Sequence, residues 1–258
     1  MADTKEILTF AVELGDSLLR NGAEVYRIED SVMAILEAND ITDGDVYVLS
    51  NGIFASANEL TEDSCSIIRH VPLAPMHLGR ISALNALCRE VCDGTITIEE
   101  AWDKLEECKK IPTYKDWLLI LASGIGSGCF SFLFGGTAYD AVYATVIGFI
   151  LQFFLNILAR NNTSKAVKNV LASALVSILA IAFFALGRPI QFDKVIIGDI
   201  MPLVPGIPLT NSVRDFINGD YLSGSIRLID ALLTAFCIAV GVGTVITVTH
   251  LFLGGIVL

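Results

Sequence analysis

The residues best suited to chemistry lie in one short run, Gly198-Asp199-Ile200-Met201-Pro202-Leu203-Val204-Pro205-Gly206-Ile207-Pro208. Proline lacks a backbone N–H and clashes with the preceding turn, so Pro202, Pro205 and Pro208 at a spacing of three cannot share a regular helix. The surrounding stretch 195–213 has the length of a membrane span. A span broken in this way frees backbone groups, which are tolerated at membrane depth only when protein or a wet cavity covers them. Half-helix ends and free carbonyls are also a common way to build a solute or ion site. A carboxylate such as Asp199 costs about 2.5–3.5 kcal/mol near mid-membrane on insertion scales and normally serves a purpose there. The expected chemistry is binding and passage of a small polar solute, with Asp199, Pro202, Pro205, Gly206 and Pro208 on the path and proton coupling through Asp199. The bland alternative is a kink with a solvated Asp199. Asn211, Arg214 and Asp215 mark the inner end of the break, where Arg214 reads as a positive-inside anchor.

Other polar positions carry weaker signals. Gln152 and Asn156 are one helical turn apart and either line the same path or hydrogen-bond between helices. Gly124 and Gly128 form a GxxxG face, suited to close helix approach within the chain or to a higher oligomer. Asp140 and Asp230 suit helix N-termini. In the first half, Glu24, Arg27, Glu29 and Asp30 form a dense charged cluster in which the Glu24–Arg27 spacing fits ordinary surface pairing. Cys88 and Cys92 share a helix face near Cys108, without the third and fourth ligands a metal needs. Ser50, His70 and Asp43 lack a nucleophile elbow, and no phosphate-binding Gly-rich loop with a lysine is present. No catalytic residue, metal or cofactor is therefore expected.

The elements that must position these residues follow from composition. The chain of 258 residues is 53% apolar and 17% charged, with a formal net charge of −11. Residues 1–116 carry 22 Asp and Glu against 10 Lys and Arg, and residues 117–258 carry 6 against 7. The acidity thus belongs to one half, which disfavours a nucleic-acid partner. Residues 1–116 predict a small cytoplasmic α+β domain. Ile7, Ala11, Leu14 and Leu18 give one helix ending at Asn21-Gly22, and Val25, Ile28, Val32 and Ile35 a second stopping near Asn39. Val46–Leu49 and Ile53–Ala55 flank Asn51-Gly52, a type I′ hairpin signal, and 66–71 reads as a third strand closed by Pro72 and Pro75. Helices follow near 77–92 and 97–110, the latter opened by a Thr97–Glu100 capping box. From Trp117 onward, apolar segments near 117–135, 138–159, 169–187, 195–213 (broken) and 228–257 predict an α-helical membrane protein of about five spans. With the amino terminus inside, inner flanks hold nine basic residues and outer loops two, which predicts a cytoplasmic amino terminus. The first 30 residues show no cleavable signal peptide, and the cysteine spacing fits a reducing compartment.

The run Asn21-Gly22-Ala23-Glu24-Val25-Tyr26-Arg27-Ile28-Glu29-Asp30-Ser31, then Ser50-Asn51-Gly52-Ile53-Phe54, then Met201-Pro202-Leu203-Val204-Pro205-Gly206, resemble in that order the threonine/serine exporter family. The resemblance covers the whole chain. It implies the larger subunit of the split form of that family, working with a short, wholly membrane-embedded YjjB-like subunit to export succinate or related small acids. It also lends functional weight to Glu24, Arg27, Glu29, Asn51 and Gly52. The resulting expectation is a subunit of a secondary exporter in the cytoplasmic membrane, moving a dicarboxylate or threonine and serine outward through the lipid bilayer. A membrane-anchored enzyme or a regulatory subunit acting through 1–116 stands as the alternative.

Overall fold

The computed structural model describes residues 3–58, 64–72, 76–161 and 163–253. Pro75 and the end of the expected span 228–257 lie outside them. The chain divides into two compact units, one of residues up to Thr113 with Thr210–Arg227, the other of Tyr114–Leu209 with the residues from Leu228 onward.

The first unit opens with α1 (Thr4–Arg20) and α2 (Val25–Ala38). The apolar stripe of α1 is buried at Ile7, Ala11, Leu14 and Leu18, but so are Leu8, Phe10 and Val12 on its other faces. This helix is surrounded, with α2, β2 (Gly52–Asn58), β3 (Ser64–His70), α3 (Leu78–Cys92) and α4 (Ile98–Lys110) all packed on it. Gly15 allows α2 to come close, because a Cβ there would lie 3.0 Å from the Val32 side chain. Val25, Ile28, Val32 and Ile35 of α2 are fully buried. Gly22 ends α1 at a φ of +81°, a conformation that suits glycine.

Strand β1 (Gly44–Leu49) precedes β2, and the antiparallel sheet runs β1-β2-β3. The hairpin turn differs from its expected form. Leu49 pairs with Gly52, so Ser50 and Asn51 form the loop, and neither has the positive φ that a type I′ turn requires. Gly52 is instead consumed inside β2, where a Cβ would sit 3.2 Å from the Arg69 carbonyl of β3. The Asn51 carbonyl accepts from Val71 N at 2.9 Å, tying the loop to the far end of β3. In α4 the capping box forms as its spacing predicts: Glu100 accepts from Thr97 N at 2.9 Å, and Thr97 Oγ1 accepts from Glu100 N at 3.3 Å.

The second unit holds α5 (Asp116–Leu133), α6 (Ala138–Arg160), α7 (Lys165–Ala185), α8 (Phe192–Ile200), a 3-10 turn at Met201–Leu203, the first residues of α9 (Gly206–Asn218) and most of α10 (Tyr221–Leu253). The GxxxG face of α5 is used within the chain. A Cβ on Gly124 would strike the Phe149 ring of α6, and one on Gly128 would strike the Thr145 side chain. Gly148 of α6 completes the close approach, since a Cβ there would lie 2.6 Å from Ser127 Oγ and 2.9 Å from Gly124 Cα. Ala144, Ile147, Leu151, Val176, Val195 and Ile196 form the shared core of α6, α7 and α8. Asp140 caps α6, accepting from Thr137 N at 2.6 Å, and also accepts from Gln191 N at 2.7 Å next to the start of α8.

Among the described residues, four helices are long and apolar enough to cross a membrane: Asp116–Leu133, Ala138–Arg160, Lys165–Ala185 and Tyr221–Phe252. At 1.5 Å per residue the shortest is about 27 Å long, close to a hydrocarbon core of about 30 Å. Ile125, Phe132, Val142, Phe153, Ile178 and Phe236 are exposed on these helices, a surface that water does not tolerate over such an extent but lipid does. They answer to the four unbroken segments expected from composition, and the fifth expected stretch is the broken one. The stretch 195–213 divides into α8, the 3-10 turn and α9, of 9, 3 and 13 residues, none long enough to span. The prolines set those limits. Pro202 starts the turn, and Pro208 occupies the first turn of α9, where a missing N–H costs no helical bond. The last long helix begins at Tyr221 rather than near 228, so Asp230 is inside α10 and pairs with Lys165 at 2.6 Å instead of capping a terminus.

Candidate functional site

In the second unit the break brings Asp199 to the end of α8, where the residue is fully buried. Its neighbour Gly198 lets α8 lie directly on α5: a Cβ there would be 2.6 Å from the Ser127 carbonyl and 2.7 Å from Ser131 N. Ser127 and Ser131 are also fully buried. Neither carboxyl oxygen of Asp199 and neither serine hydroxyl has a partner in hydrogen-bonding geometry. Buried polar groups normally find partners, so the unpartnered Asp199 carboxyl at the end of α8 stands out inside an apolar bundle. Beyond it the chain turns at Pro202, Val204 N bonds back to Ile200 O at 3.2 Å, and Gly206 N bonds to Val204 O at 2.8 Å before α9 begins. Gln152 and Asn156 of α6 take a different course. Gln152 Nε2 donates to Asn156 Oδ1 at 3.0 Å, a bond along their own helix.

A second polar cluster lies in the first unit, around the charged run at the start of α2. Glu24 precedes α2 and pairs with Arg27 at 2.9 Å, as its spacing predicts, but it is also gripped by Arg214 of α9. Arg227 of α10, 7% exposed, donates from Nη2 to the Ala23 carbonyl at 3.3 Å and faces Asp215 at 3.5 Å. Ser223, one helical turn before Arg227, accepts from Ser50 N of the β1–β2 loop at 3.1 Å. Glu29 Oε1 accepts from Val48 N at 2.8 Å. Burial raises the Glu29 carboxyl above its usual range against the pull of that N–H, and the negative charges of Asp220 and Asp30 add to the rise. The corner formed by Thr210–Arg227 is therefore clasped by the residues around Ala23–Glu29 and Ser50. Asn211, at the start of this corner on α9, is half-buried.

Sequence reasoning named Glu24, Arg27, Glu29, Asn51 and Gly52, and the structure sets the first three beside a cluster it had not assembled. Ser50, Asp215, Asp220, Ser223 and Arg227 were missed as site residues. Asn51 and Gly52 serve the hairpin through backbone geometry, as described above. One signal was available: Ser223 and Arg227 share a face one turn apart at the start of a mostly apolar helix, a place where a buried arginine demands a partner. Among the described residues no group of three His, Cys, Asp or Glu side chains could hold a metal ion. The Cys88 thiol is pushed up to about 12 by burial and donates to Ser31 O at 3.7 Å, as an inert packing group would.

Residues 9–249 match the threonine/serine exporter family ThrE. A protein of Mycobacterium tuberculosis named "Probable threonine/serine exporter" is 25% identical over 242 residues, covering 93% of this chain and 45% of the relative. The "Threonine/serine exporter" of Corynebacterium glutamicum is 22% identical over 244 residues, covering 92% of this chain and 50% of the relative. The chain spans about half the length of these curated relatives. No solved structure matches it. The match over nearly the whole chain, in a family of transporters rather than enzymes, shows that this protein belongs to the threonine/serine exporter family.

Proposed function

We propose that this chain is a subunit of a secondary exporter that carries a small polar metabolite outward across the cytoplasmic membrane, with its amino-terminal unit in the cytoplasm. The observation that carries the reading is Asp199, buried without a partner where α8 stops, inside a bundle whose exterior is apolar. A helix that ends at membrane depth with a carboxyl group beside it suits a solute pathway better than it suits a scaffold. Membership of the family supports transport, and the names of the relatives support threonine and serine as substrates. The acidity of residues 1–116 points the same way, because a field of that sign repels a dianion such as succinate and tolerates a zwitterion. The corner clasped to Glu24 and Ala23 makes the first unit a gate on α9, which carries the end of the broken segment.

In the proposal a short, wholly membrane-embedded YjjB-like subunit works with this chain, as the resemblance of its motifs implies. Efflux of labelled threonine, serine and succinate is the test, measured from cells that carry this chain and such a subunit, each alone, or neither. The expected result is faster loss of threonine and serine only when both are present, with succinate unchanged. Equal loss in all four strains contradicts the reading.

A further inference from the structure

The grip on Glu24 in the first unit carries one step more, which takes its ligand class from the transport reading. We infer that Arg27 and Arg214 form a binding site for the carboxylate of a small metabolite, and that Glu24 occupies this site as an internal competitor. Arg27 Nε approaches Glu24 Oε2 at 2.9 Å and Arg214 Nη1 takes Oε1, so two guanidiniums hold one carboxylate through its two oxygens. Among the described residues Glu24 alone pairs with two cations. Elsewhere in the first unit the balance runs the other way: Glu13 and Glu106 share Lys109, and acids outnumber bases along the chain up to Thr113. A local excess of positive charge is therefore a property of this spot. The start of α2 adds to it. Glu24 stands at the N-cap position, yet its side chain makes no capping bond and the first turn of α2 holds no acid, so the positive end of the helix faces the same place.

The two arginines are within reach of solutes. Their side chains are 60% and 45% exposed, whereas that of Glu24 is 16% exposed. Ion pairs this open to water hold weakly, so a second carboxylate can compete for the guanidiniums. Glu24 is tethered beside them, which gives it an effective concentration in the millimolar range. A free carboxylate displaces it only when the solute accumulates to a similar level, the condition under which export is useful. The surroundings limit the charge of that solute. Asp30 lies one turn beyond Arg27 on α2, Asp215 follows Arg214, and Asp220 N donates to Asp215 O at 2.9 Å at the corner before α10. Acids placed around the arginines favour a single carboxylate over a phosphate group, and an ammonium on the same molecule is answered by them. A ligand on the arginines releases Arg214 from Glu24, and α9 loses one of its holds on the α1–α2 corner.

The test is equilibrium binding of labelled serine, threonine and succinate to the full chain in detergent. The wild type binds weakly. E24Q keeps the shape of the side chain and removes its charge, so it binds one or more of the three about tenfold tighter, and the solute that gains most identifies the source of the carboxylate. E24Q/R27Q and E24Q/R214Q lose that gain, whereas E24Q/R214K, which keeps the cation, retains part of it. With Glu24 already neutral, neither arginine has this carboxylate to clasp, so the losses do not act through the corner; equal melting temperatures of E24Q and its derivatives check that the fold is kept. Affinities that E24Q leaves unchanged for all three solutes overturn the inference, as do a gain that survives removal of the arginines and an equal gain for chloride. The readout does not require export: binding of this kind without efflux contradicts the transport reading alone, and efflux without the E24Q gain contradicts this site alone.

Discussion

At the scale of single residues, buried polarity separates the chemistry from the scaffold. Asp140 and Asp199 are both fully buried acids in the second unit, yet Asp140 accepts three hydrogen bonds from Thr137 and Gln191 while Asp199 has none. One is a structural cap; the other is left with free capacity. Glu29 in the first unit is a milder case with a measurable sign. Its carboxyl titrates above the ordinary 4.5 because burial disfavours the charge. Folding therefore gains as pH falls through the raised value, and the cost of the charge is fully present above it. E29Q keeps an oxygen for Val48 N without the charge, so its melting temperature in detergent should exceed that of the wild type at pH 7. The gap should close as pH approaches 4.5, the ordinary value. A variant less stable than the wild type at neutral pH would contradict the assignment.

At the scale of elements, what is local in sequence was legible and what is remote was not. The helices of the first unit, the Thr97–Glu100 box and three of the four long apolar helices lie close to where periodicity puts them, because each depends on residues within a few turns. The hairpin shifted by one residue because β3 presses on Gly52, a constraint from another strand. The clasped corner was invisible for the same reason: Arg227 and Ala23 are 204 residues apart, and Ser50 and Ser223 are 173 apart. The close pairing of α5 and α6 offers a direct test. G148V must place its side chain where Ser127 Oγ and Gly124 Cα lie within 3 Å, an overpacking that costs about 1–3 kcal/mol. Reduced abundance in the membrane and a lower melting temperature are expected, whereas G126V, with open space at its Cβ, should match the wild type. Equal behaviour of the two variants would contradict the packing described for this helix pair.

At the scale of the whole molecule, two units share two helices, since α9 and α10 each begin in one and continue in the other. The acidic unit holds the corner between these helices through Glu24, Ala23 and Ser50, and in the apolar unit α8 ends beside Asp199. Sequence read the apolar half as membrane from composition alone, and it read 195–213 as broken because its prolines leave a span's length without a span's continuity. The most direct measurement is efflux of labelled threonine and serine from cells carrying the partner subunit with either the wild-type chain or D199N, compared at equal membrane abundance. Asparagine fills the same volume and cannot carry the proton, so D199N should lose at least tenfold in efflux rate. Efflux by D199N equal to the wild type at every pH would contradict the account.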